Sequence, residues 1–267
     1  MRPMNPWENP DRLPPEEAAA LASFIEGRGR LPEQSGHHDA LVAAIAPQPG
    51  ARMLDLGCGT GPVTRRLATL VGDGGSVLGV DVSAAMLRVA RDAEIMPTLR
   101  YELGDTAALP YPDASFDGAA AARLLLHLPD PLPTLTEARR LVRPGGRLGL
   151  LEWDLGTLIV DLDDRALLRK VLSWRADSLD GDNWMARQLP RLLLRSGWSV
   201  QSIVPRVTIA RDATAQLVGS LRYAGDMAAK HGAIDGGELA AWHAAIDERL
   251  AEGTFFASST DFVIVAI

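Results

Sequence analysis

From Ala51 onward the chain alternates short apolar runs with helical segments. Runs at Arg52 to Leu56, Ser76 to Val80, Leu99 to Leu103, Phe116 to Leu124 and Arg147 to Trp153 are separated by helices that begin at Pro62, Ser83 and Leu132. Strand, helix, strand repeated this way specifies an α/β fold, with a parallel sheet, right-handed crossovers and helices on both faces. In such sheets ligands bind beyond the carboxyl ends of the strands. Ahead of this core lies a helix with Pro14 and Pro15 at its first turn and Gly27 at its end, then a second around Asp39 to Ala46. The cluster Pro47-Gln48-Pro49-Gly50 breaks the helical period and marks where the core begins.

After Trp153 the alternation stops. Helices are expected over Asp163 to Ser178 and Trp184 to Ser196, then a strand over Trp198 to Ile209, helices within Ala213 to Leu250 and a last strand over Phe255 to Ile267. The organisation read from this is an N-terminal helical segment covering the site (1–49), a binding core (50–155), a helical cap insertion (156–197), and remaining strands with a second helical insertion (198–267). Only the first dozen residues have the composition of a disordered segment.

Composition narrows the function classes. Apolar residues make up 47% and charged residues 23% of the 267, which is ordinary for a globular protein. With 27 basic and 34 acidic residues the net charge is −7, so a nucleic-acid partner is not expected. The single cysteine, Cys58, fits a reducing, cytoplasmic compartment, and no apolar run approaches the ~20 residues that would span a membrane. No metal is expected: the five histidines show no His-x-x-x-His spacing, and Asp161, Asp163 and Asp164 read as a helix start. The oligomeric state is left open.

The chemistry concentrates in Leu54-Asp55-Leu56-Gly57-Cys58-Gly59-Thr60-Gly61-Pro62, a strand that ends in a glycine turn opening a helix. Glycines let the backbone approach a ligand closely. A nicotinamide-binding turn reads G-x-G-x-x-G, whereas here Pro62 takes the sixth place. Asp55 beside the turn repels a pyrophosphate and favours a ligand carrying ammonium or sulfonium charge. Asp81 ends the second strand twenty residues after Gly61, where an acid can accept both hydroxyls of a ribose.

These residues resemble the first motifs of the class I S-adenosylmethionine-dependent methyltransferases. The resemblance continues through Gly104-Asp105-Thr106, Phe116-Asp117, Leu126-His127-Leu128-Pro129-Asp130 and Arg143-Pro144-Gly145-Gly146, and is nearest to the small-molecule branch that includes ubiquinone and menaquinone biosynthesis enzymes. It covers roughly residues 50 to 155. It implies a Rossmann-like, doubly wound, mostly parallel seven-stranded sheet with an antiparallel last strand and a helical cap. It also implies S-adenosyl-L-methionine as cofactor, held by Asp55, Gly57, Gly59, Thr60 and Gly61, by Asp81, Val82 and Met86, and by Gly104, Asp105 and Thr106. Gln34, brought over the site by the N-terminal segment, and Arg123, near the cofactor carboxylate, complete the set; the alternative for Arg123 is a surface ion pair of little energetic consequence. The N-terminal segment can also bring His37 and His38 to the methionine end of the cofactor, and one of the pair is expected in a solvated loop.

The acceptor is expected to be a small apolar or aromatic metabolite, such as a quinone precursor, polyketide or terpenoid, methylated on O, N or C. His127 is the candidate base, because it follows the fourth strand on the ligand side and histidine exchanges protons near neutral pH; the alternative is that it only packs or caps. Trp153 and Asp154, closing the fifth strand, and Trp174, in the cap, are the other candidate acceptor contacts. Two further readings stay open: a protein that uses S-adenosylmethionine without methyl transfer, as a cyclase or sensor, and a nicotinamide oxidoreductase, against which Asp55 and Pro62 argue.

Overall fold

A computed structural model describes residues 7–93, 96–178 and 181–267. Seven strands form one sheet: β1 (Arg52–Leu56), β2 (Ser76–Asp81), β3 (Leu99–Leu103), β4 (Phe116–Ala122), β5 (Val142–Val160), β6 (Val200–Ala210) and β7 (Ala257–Ala266). Their order is β3-β2-β1-β4-β5-β7-β6. All neighbours pair in parallel except β7, which runs antiparallel to both β5 and β6. The strand order reverses at β1, which has β2 on one side and β4 on the other, and the crevice of a doubly wound sheet opens there.

Alternation along β1 divides the interior. Leu54 and Leu56 point into a cluster with Leu135, Leu189 and Trp198, whereas Met53 points the other way, toward Leu41, Val63 and Leu67. The second face is covered by α2 (Pro32–Ile45) and α3 (Pro62–Val71), the first by α5 (Leu132–Leu141) and α7 (Met185–Arg195). A third cluster, around Val171, Leu221, Trp242 and Phe255, joins α6 (Arg165–Ser178), α8 (Gln216–Lys230) and α9 (Gly236–Ala251) into a cap over the far end of β5 and β7.

Three expectations change. Strand β5 runs on to Val160, because β7 offers partners to Ile159 and Val160 beyond a bulge that starts at Asp154. The expected cap insertion is split: α6 joins the cap, but α7 buries Met185, Leu189 and Leu193 against the sheet. Finally, within the first dozen residues Asn9 caps a 3₁₀ turn at Pro10–Arg12; residues 1–6 lie outside those described.

Candidate active site

A cleft of about 1150 Å³, counting its open mouth, lies at the carboxyl ends of β1, β2 and β4, under α1 (Pro15–Gly29), α2 and the strap of residues 7–10. Its floor is the glycine turn. Gly57 and Gly59 have φ of 63° and 54°, which a side chain adopts only at a cost, and a Cβ on Gly57 would lie 2.6 Å from Leu124 Cδ1. The Gly59 N–H donates to Asp81 Oδ2 at 2.8 Å, and the Ser83 N–H donates to Asp81 Oδ1 at 2.9 Å. Each oxygen keeps a lone pair for a ligand hydroxyl. Burial raises the Asp81 pKa even against these donors, so the site holds an acid poorly solvated by water.

Beyond Asp81 the wall continues through Val82, Met86, Asp105 and Thr106. Met86 is buried on α4 (Ala84–Ala93), Asp105 Oδ1 accepts the Ala107 N–H at 2.9 Å, and the Thr106 and Thr134 hydroxyls lie 3.0 Å apart. Asp55 also faces the cleft. It is fully buried, accepts the Thr64 hydroxyl at 2.6 Å, and is pushed up to about 7 by burial and by the charge of Asp81. Three of the expected contacts frame the cleft without lining it: Thr60 is buried behind the turn, Gly61 (φ 83°) caps α3 and packs under Tyr101, and Gly104 packs against Val80.

The opposite end is cationic. Arg28, on α1, lies half-buried in the cleft, and among the described residues no carboxylate pairs with it. Burial and the neighbouring Arg123 guanidinium lower its pKa to about 9. Arg123 follows β4 in a left-handed conformation (φ 53°), donates to Asp261 Oδ1 at 2.5 Å, and lies over the Trp153 ring at 5.0 Å. Gln34 and His38 line the cleft beside these arginines. Contrary to the expectation of a solvated loop, α2 begins at Pro32 and buries both histidines. Burial and nearby Arg123 push His38 down to about 3, so it is neutral at pH 7. His37 packs with its Nδ1 3.4 Å from Asp261 Oδ2, its pKa lowered by burial.

Residues 54–150 match the methyltransferase domain family. An uncharacterized 37.1 kDa protein of a Streptomyces fradiae transposon is 35% identical over 247 residues, which span 91% of this chain and 70% of that protein. The chain belongs to the class I S-adenosylmethionine-dependent methyltransferases. The demethylmenaquinone methyltransferase of Lysinibacillus sphaericus is 40% identical over 119 residues, which cover 44% of this chain and only half (50%) of that enzyme. The crystal structure of an S-adenosylmethionine-dependent methyltransferase from Aquifex aeolicus superposes with a TM-score of 0.54 at 19% identity, over 70% of this chain and 91% of that one, and shares the fold.

The methyltransferase cleft fits its cofactor. Its lining offers what that cofactor needs, acceptors and negative charge from Asp55, Asp81 and Asp105 and positive charge from Arg28 and Arg123. Of the expected acceptor contacts, His127 lines the cleft from the 3₁₀ turn Leu125–His127 and stacks on Trp7, 5.7 Å between ring centroids. Trp153 lines an adjoining chamber. Asp154 is turned away: its carboxylate accepts the Gly156 N–H and pairs with Arg187 Nε at 2.5 Å, because alternation along β5 puts it on the face opposite Trp153. Trp174 stacks on His231 inside the cap, 5.7 Å away, and lines neither cavity. Sequence reasoning missed Arg28, Trp7 and Asp261, which lie outside the motif-bearing core; a charged residue on a helix offers no signal until the fold shows what it faces.

Proposed function

We propose that this methyltransferase binds S-adenosylmethionine across the two-ended cleft and transfers its methyl group to a small organic acceptor placed beyond Arg123. The observation that carries this reading is the separation of charge in one cavity, Asp55, Asp81 and Asp105 at one end against Arg28 and Arg123 at the other. Asp81 would hold the ribose, Met86 and Asp105 the adenine, and Arg28 with Arg123 the carboxylate. Bound S-adenosylmethionine supplies a sulfonium-activated methyl group, which the acceptor atom takes as the carbon–sulfur bond breaks and the thioether is left.

The protein contributes position and dryness. The Gly57 turn and Leu124 fix the depth at which a ligand lies, and Trp7 covers the mouth against water. His127, beside the mouth, is the candidate to receive a proton from an O–H or N–H acceptor. The similarity to a demethylmenaquinone methyltransferase supports a ring-sized acceptor. The test is incubation with methyl-deuterated S-adenosylmethionine and a panel of phenols, carboxylates and quinols, read by mass spectrometry. A product carrying the deuterated methyl group is expected; S-adenosylmethionine bound tightly but unchanged with every acceptor would argue for use of the cofactor without transfer.

A further inference from the structure

Arg28 reaches the cleft from the least self-supporting stretch of α1. The helix ends Glu26-Gly27-Arg28-Gly29, and glycine is the poorest helix former after proline, so two of them in the last turn leave its geometry to be fixed from outside. Glu26 provides that hold. It is buried, at 9% exposed, and its carboxylate accepts Arg65 Nη2 on both oxygens, at 3.0 and 3.1 Å.

Arg65, in the first turn of α3, donates its other terminal nitrogen, Nη1, to the Thr60 carbonyl oxygen at 2.7 Å, inside the glycine turn. One planar guanidinium therefore ties the end of α1 to the turn that floors the cleft, with the fixed fork geometry that arginine has and lysine lacks. Gly29 completes the contact, since a Cβ there would lie 3.5 Å from Pro62 at the start of α3. Arg30 grips Glu26 from outside, donating Nε and Nη2 to Oε1 at 3.3 and 3.1 Å, but its side chain is 72% exposed, where an ion pair contributes little. Arg28 and Gly29 line the cleft, whereas Glu26 and Arg65 stand behind its wall.

We propose that Glu26 and Arg65 are positioning residues, which brace the last turn of α1 against the glycine turn and so aim Arg28 at the carboxylate of the cofactor. The inference rests on the cofactor reading above and deepens it: the turn that floors the cleft and the arginine that reads the carboxylate are held as one unit by a buried ion pair. A ligand that lacks the carboxylate gains nothing from the brace. Loss of the brace therefore acts on one end of the ligand and not on the other.

The experiment is calorimetric titration of the whole protein, of Glu26→Gln and Arg65→Met, and of Glu26→Gln combined with Arg28→Ala, with S-adenosylhomocysteine and with 5′-methylthioadenosine, which lacks the amino-acid end. Glu26→Gln and Arg65→Met are each expected to weaken S-adenosylhomocysteine about fivefold or more and to leave methylthioadenosine within about twofold, which also shows that they fold. On top of Arg28→Ala, Glu26→Gln is expected to cost almost nothing further, because residues that act through one another are not additive. A merely structural role would weaken both ligands alike and would add in full to Arg28→Ala. Equal loss for the two ligands, full additivity, or an unchanged S-adenosylhomocysteine affinity overturns the proposal, and Arg65→Met decides should Glu26→Gln not fold. Failure of the unaltered protein to prefer S-adenosylhomocysteine overturns the cofactor reading itself, whereas a preference that both variants keep overturns only the brace.

Discussion

At the residue scale, Asp55 shows how burial sets chemistry. Its carboxyl is enclosed at the end of β1, and desolvation, with Asp81 nearby, holds its pKa at about 7. A cationic ligand binds the ionised form, so lowering the pH through 7 protonates Asp55 and weakens binding. S-adenosylhomocysteine affinity, measured by calorimetry, is expected to fall about tenfold or more from pH 8 to pH 5.5, and Asp55→Asn is expected to bind weakly with that dependence gone. An unaltered slope in the variant would assign the dependence to another group. Asp55, Asp81 and Asp105 were legible in the sequence because each sits at a strand end beside a turn, so local spacing reports spatial position. Arg28 was not, because α1 meets the cleft only through tertiary packing. Asp154 misled for a related reason: its place on β5 was readable, but a single residue of alternation decides which face it serves.

At the element scale, the start of α4 is capped from far along the chain. Asp11 accepts the Ser83 hydroxyl at 2.7 Å and the Ala84 and Ala85 N–H groups at 2.6 and 3.2 Å, supplying the acceptors that a helix N-terminus lacks. Burial works to raise the Asp11 pKa, but these bonds outweigh it and hold the acid below its ordinary value. The latch anchors a strap whose Trp7, Glu8 and Pro10 roof the cleft. Asp11→Ala removes a cap worth about 0.5–2 kcal/mol, so S-adenosylhomocysteine should dissociate up to about tenfold faster in stopped-flow displacement with an unchanged far-ultraviolet spectrum. An unchanged rate would mean that the strap does not hold the ligand. Proline-rich and polar, this segment read as disordered, and its order comes from a partner 72 residues away in sequence. Helix α1, by contrast, showed itself through its prolines and apolar positions, whereas α2 starts at Pro32, earlier than the stretch around Asp39 suggested.

At the scale of the whole molecule, the strand and helix alternation was enough to read the sheet, because each apolar run is long enough for one strand and each break carries turn residues. What the alternation did not show was how the helices after β5 divide, since a helical pattern does not name the partner it packs on, and packing sends α6 to the cap and α7 to the sheet. The fold also buries Glu152 completely, where it accepts the Leu125 N–H at 2.8 Å and is pushed up to about 8 by desolvation. An acid whose pKa is raised on folding stabilises the native state below its unfolded value and loses that contribution as the pH rises through the folded one. Glu152 and Asp55 should therefore make the ligand-free protein less stable from pH 5 to pH 8.5, by about 3 °C or more in Tm. Glu152→Gln is expected to flatten that decline in thermal scans; an equal decline would place its cause elsewhere.

The central claim is that one cleft reads both the adenosine and the amino-acid ends of its ligand. Calorimetric titration of the protein and of Arg28→Ala with S-adenosylhomocysteine, 5′-methylthioadenosine and NADH tests it most directly, since methylthioadenosine keeps the nucleoside and lacks the carboxylate and ammonium. The protein should bind S-adenosylhomocysteine much more tightly than methylthioadenosine and leave NADH unbound, and Arg28→Ala should lose about tenfold or more of that difference without weakening methylthioadenosine. Equal affinity for the two nucleosides, or binding of NADH alone, would contradict the account.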